Sequence, residues 1–78
     1  MDVSTMILHR FGEPSKQDSA PYGSVCVVKN NAQTTTLLYI QLGHDENDTH
    51  WEYMGEFKSD ITDNEIVIEK MKVLYPNS

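Results

Sequence analysis

Ser24-Val25-Cys26-Val27-Val28-Lys29 and Thr36-Leu37-Leu38-Tyr39-Ile40-Gln41-Leu42 decide the fold. Both runs are rich in β-branched, aromatic and other apolar residues, the composition that suits a pleated, half-buried surface. Asn30-Asn31-Ala32-Gln33-Thr34-Thr35 between them is polar and short, so the two runs read as neighbouring strands joined by a turn. Downstream, a polar loop over 43–50 leads to Trp51-Glu52-Tyr53-Met54-Gly55-Glu56-Phe57. A strict period of two would place Trp51, Tyr53, Gly55 and Phe57 on one face and Glu52 and Glu56 on the other. Upstream, Thr5-Met6-Ile7-Leu8-His9-Arg10-Phe11 reads as a short first strand. A loop follows, punctuated by Gly12, Pro14 and the turn Pro21-Tyr22-Gly23.

The C-terminal segment has a different signature. Thr62-Asp63-Asn64-Glu65 has the spacing of a capping box, in which the two outer side chains each satisfy a backbone N–H left unpaired at a helix start. Val67, Met71 and Leu74 recur at helical spacing and read as one apolar stripe. Acids come early and Lys70 and Lys72 late, as the helix dipole favours. Ile66-Val67-Ile68 is β-branched and would also suit a strand, so the helix is set against a strand alternative. The prediction is an α+β fold of one domain over residues 1–78. It comprises a small antiparallel β-meander of three to four strands (about 5–11, 24–29, 36–42 and 51–57) with one helix at about 63–75.

Length and charge restrict the function. The chain has 78 residues, with 12 acidic and 6 basic side chains for a formal net charge of −6. A mean hydropathy of −0.50 accompanies 38% hydrophobic residues, which is polar but too apolar for a disordered chain. A protein this small has one modest core, worth roughly 3–5 kcal/mol, so it gains from borrowing surface on a partner, most simply as a homo-oligomer. The single cysteine, Cys26, forms no internal disulfide and reads as a buried, inert thiol. An acidic chain does not neutralise phosphates, so direct nucleic-acid binding is not expected. Neither is membrane insertion, for want of a long apolar run. The first five residues lack the order of a signal peptide, which points to an intracellular or assembled product.

No motif of nucleophile, phosphate loop or dinucleotide site is present, and no carboxylate pair is set apart in a cleft, so neither enzyme activity nor a cofactor is expected. His44 and His50 bracket Asp45, Glu46 and Asp48, residue types that bind divalent metals, but their spacing fits no compact metal motif and polar turn residues explain the same letters. Between Asp45 and Glu69 lie nine acids (Asp45, Glu46, Asp48, Glu52, Glu56, Asp60, Asp63, Glu65 and Glu69) against one base, Lys58. The run reads either as a solvated face or as spaced negative charge for a cationic groove, as in a small acidic inhibitor. Tyr39, Trp51, Tyr53 and Phe57 are the candidate partner-binding anchors, since buried aromatics carry most interface energy. Trp51→Ala is therefore expected to abolish assembly. Asp45, Glu46 and Asp48 are the candidates for a charged contact.

Residues 20–57 resemble a β-module of tailed-phage virion proteins, as found in head fibres, tail fibres and their attachment domains. The resemblance is carried by Gly23-Ser24 opening one strand, by Leu38-Tyr39-Ile40-Gln41-Leu42-Gly43, and by Trp51 beginning the next. It implies a non-enzymatic, usually trimeric protein that docks onto other virion subunits as a decoration, fibre-base or adaptor module. The alternative is a small acidic phage inhibitor, an anti-defence protein or nucleic-acid mimic, that blocks a host protein. The expected location is accordingly the virion or the host cytoplasm.

Overall fold

A computed structural model of the chain describes residues 5–29, 35–58 and 60–77. Four strands and one helix follow in order: β1 (Ile7–Arg10), β2 (Val25–Lys29), β3 (Thr35–Gln41), β4 (Trp51–Lys58) and α1 (Asp63–Leu74). The strands form one sheet in the order β1-β2-β3-β4, a small α+β fold with a mostly antiparallel, meander-like sheet. Most of the expected β2–β3 turn, residues 30–34, lies outside the described residues, and Thr35 already belongs to β3.

The sheet departs from a pure antiparallel meander at its first strand. β1 lies parallel to β2, with Ile7 opposite Val25 and Arg10 opposite Val28. Parallel neighbours need a crossover of a dozen or more residues, and the segment 11–24 provides one without a helix. It is tied back by Arg10 Nε to Asp18 Oδ1 at 3.0 Å and by a turn in which Ser24 N donates to Pro21 O at 3.1 Å.

The central strand β2 is buried on both sides, which is why it reads as a continuous apolar run without alternation. On one face Val25, Val27, Leu38 and Ile66 form the core, flanked by Ile7, Met54, Phe57 and Ile61. Each such side chain contributes roughly 1.5–3 kcal/mol on full burial. On the other face lies Cys26, fully buried, under the 11–24 segment with its buried Pro14 and Ala20. Burial pushes the Cys26 thiol up to about 11, so it stays protonated and unreactive at neutral pH.

Helix α1 begins as its local chemistry dictates. Thr62 Oγ1 accepts from Glu65 N at 3.2 Å, and Glu65 Oε1 accepts from Thr62 N at 3.2 Å. That nucleus overrides the β preference of Ile66-Val67-Ile68. The expected packing stripe of Val67, Met71 and Leu74 is corrected, however. Ile66 is the buried helical residue and reaches the core, while Val67 and Met71 are exposed on the far side of the helix. The helix packs on its own sheet through a narrower contact than its composition predicts.

Candidate interaction surface

The two faces of β4 are set by a β-bulge. Tyr39 pairs with Tyr53 and Leu38 with Gly55, leaving Met54 as the extra residue. Gly55 adopts φ +138°, a value that side-chain-bearing residues avoid, and so absorbs the irregularity. Alternation therefore changes phase in mid-strand. Before the bulge, Trp51 and Tyr53 point away from the helix. After it, Phe57 points towards the helix and packs on the core. The four residues that strict alternation groups together are thus divided. Glu56, expected opposite Trp51 and Tyr53, shares their side of the sheet, whereas Glu52 stands on the helix side.

On the face away from the helix, the Tyr39 and Tyr53 rings meet at 5.4 Å between centroids, tilted by 55°. Tyr53 is 57% exposed. Burial first, then the nearby Glu13, raises the Tyr39 hydroxyl above its ordinary value. Trp51 is half-buried, and its indole N–H donates to Ser15 O and Asp18 O, each at 3.1 Å. It clamps the 11–24 segment onto the sheet rather than standing free. Tyr22 and Phe11 are also exposed.

Asp45, Glu46 and Asp48 do fall together, in the β3–β4 loop. The loop is shaped from within. Asp45 Oδ1 accepts from Asn47 N at 2.8 Å, and Thr49 Oγ1 donates to Glu46 O at 3.2 Å. The rest of the acidic run is spread along β4 and α1, where several members have local partners: Glu52 with His50 Nε2 at 2.6 Å, Glu65 with Lys58 at 3.0 Å and Glu69 with Lys72 at 3.2 Å. The hydrogen bond from Lys58, then the one from the Thr62 backbone, holds the Glu65 carboxyl below its usual value. No three His, Cys, Asp or Glu side chains converge as a metal set among the described residues. No helix among them is long and apolar enough to cross a membrane.

Gln41 carries a role that sequence reasoning missed. Its fully buried amide donates to Ala20 O at 3.0 Å and to Asp45 O at 3.2 Å. Its Oε1 accepts from Gly43 N and, at 2.9 Å, from His50 N. One side chain therefore joins the 11–24 segment to the β3–β4 loop. The available signal was a polar residue closing an apolar strand immediately before Leu42-Gly43.

Asp18 organises the same segment. Its carboxylate accepts from Ser15 N and Arg10 Nε, both at 3.0 Å. The hydrogen bond from Ser15, then that from Arg10, lowers its affinity for protons. The clasp is therefore fully present above the ordinary Asp range and is lost as pH falls through the lowered value. Acid titration followed by Trp51 fluorescence should show the segment loosening below that range. The Asp18→Asn variant should start looser and lose that part of the acid transition; an unchanged transition would refute the clasp. No protein-family model, curated protein or solved structure matches this chain.

Proposed function

We propose that this chain is a non-catalytic assembly module that binds another protein through the sheet face opposite its helix. One observation carries the reading. The tilted Tyr39–Tyr53 ring pair sits on that face at the edge strand β4, with Tyr53 more than half exposed and not covered by any element among the described residues. A large, rigid, partly polar ring presented this way is the usual anchor of a protein interface. The resemblance of residues 20–57 to phage fibre modules supplies the setting, a decoration, fibre-base or adaptor component of a tailed-phage virion.

The experiment compares two aromatic variants. Tyr53→Ala should leave the fold intact and weaken binding to the virion subunit by on the order of tenfold to a hundredfold. Trp51→Ala removes the clamp on the 11–24 segment, so it should lower stability as well as binding. Full binding by a folded Tyr53→Ala variant would remove this face from the assembly.

The grouping of Asp45, Glu46 and Asp48 on one loop favours a second reading, an acidic inhibitor seated in a cationic groove of a host protein. Such binding would weaken steeply with salt and would be lost on charge reversal at these three residues, while tolerating Tyr53→Ala.

A further inference from the structure

The outer surface of α1 points to a second interface, with a different occupant. Val67, Ile68, Met71 and Tyr75 are all exposed, Ile68 by 55% and Met71 by 47%, and with Lys72 they line a groove of about 450 Å³. Ile66 faces the core from the opposite side of the helix, so the groove lies on the side turned away from the sheet. Contiguous exposed apolar surface of this kind on a small protein marks an interaction site.

The charges bordering the groove specify what covers it. At 3.6 residues per turn, Glu65 and Lys72 lie two turns apart on one flank, and Asp63 and Lys70 two turns apart on the other. Each flank therefore carries an acid near the helix start and a base near its end. We infer that a second copy of this chain docks on α1 with its own α1 antiparallel, related by a two-fold axis beside Ile68. That arrangement sets Glu65 against Lys72 of the second copy, brings Asp63 towards its Lys70, and covers Met71 with its Val67. The contact is self-complementary, as a two-fold interface requires. A parallel pair would place acids beside acids and bases beside bases, which disfavours it. The existing surface contacts of Glu65 with Lys58, of Glu69 with Lys72 and of Lys70 Nζ with Thr5 Oγ1 are exposed, weakly held and adjust at little cost. The product is a sheet–helix–helix–sheet dimer that leaves both Tyr53 faces outward. It goes beyond the assembly reading, because it uses the opposite side of the molecule.

The test is light scattering on the full chain over a series of concentrations, with variants at exposed helix positions. The wild-type chain should approach twice its 8.9 kDa mass as concentration rises. Ile68→Lys, which sets two ammonium groups at the axis, should weaken the dimer by on the order of a hundredfold with unchanged circular dichroism. Orientation is read by oxidative cross-linking, for which the buried Cys26 thiol is silent. Ile68→Cys should link to itself. Asn64→Cys mixed with Tyr75→Cys should link, whereas Tyr75→Cys alone should not, since its two copies stand about 20 Å apart in the antiparallel pair. A monomer at every concentration, a dimer indifferent to Ile68→Lys, or self-linking of Tyr75→Cys overturns the inference. None of these outcomes bears on partner binding at Tyr53, so the two readings fail separately.

Discussion

Gly43→Ala is expected to unfold most of the protein. A Cβ at this position would overlap the Asp48 carbonyl oxygen and come within 2.8 Å of both Gln41 Oε1 and His50 N. None of these atoms can retreat freely. Leu42 N donates to His50 O at 2.9 Å and Asp48 N to Asp45 O at 3.1 Å, so the loop is closed on both sides of the clash. Gln41 is buried and holds backbone groups of Ala20, Gly43, Asp45 and His50, so moving it would leave polar atoms unpaired away from water. The cost should reach at least about 3 kcal/mol, comparable with the roughly 3–5 kcal/mol that a core of this size supplies. Urea denaturation should show a collapsed or missing transition for Gly43→Ala. Gly12→Ala, where nothing lies within 4 Å, should keep the wild-type midpoint. Equal midpoints for the two variants would show that the β3–β4 loop has room the structure denies.

Ile66→Ala should have the second largest effect, because it removes the buried residue through which α1 joins the core. Truncating a buried isoleucine costs about 2–5 kcal/mol, the transfer free energy plus the cavity left behind. Here the cavity would open among Val25, Val27 and Leu38, at the junction of helix and sheet. The expected result is loss of helical circular dichroism at a denaturant concentration well below that needed for the wild type. Val73→Ala, at an exposed position of the same helix, should stay within about 0.5 kcal/mol. If the two substitutions cost the same, the helix is held by something other than Ile66.

Both predictions rest on residues of different legibility in the sequence. Ile66 stands in a helix that is apolar over much of its circumference, and periodicity alone allows two overlapping stripes. One is Ile66 with Val73, and the other is Val67 with Met71 and Leu74. Spacing alone favours the second as the packing face, whereas the helix joins the core through Ile66. Gln41 and Gly43 show the same limit in a loop. Their letters announce the end of a strand, but the hydrogen-bond partners of the amide come from segments up to 21 residues away. Strand β4 shows it in a sheet. Glu52 and Glu56 suggest an outer face by strict alternation, and one bulged residue, Met54, reverses the second half of the pattern.

What the sequence by itself determined was the set of elements and their kinds. The four strand segments, the Pro21-Tyr22-Gly23 turn, the capping box at Thr62 and the helix that follows are all marked by residue type and by patterns among residues a few positions apart. Such patterns are written directly in the order of side chains. The tertiary structure alone decided the direction of β1, the faces on which Trp51, Tyr53 and Phe57 stand, and the side of α1 that meets the core. It also decided the roles of Gln41 and Trp51 as ties to the 11–24 segment. Each of these depends on which distant surface arrives first and fits best, and a competition between nearly equal apolar faces is settled by packing across the whole fold.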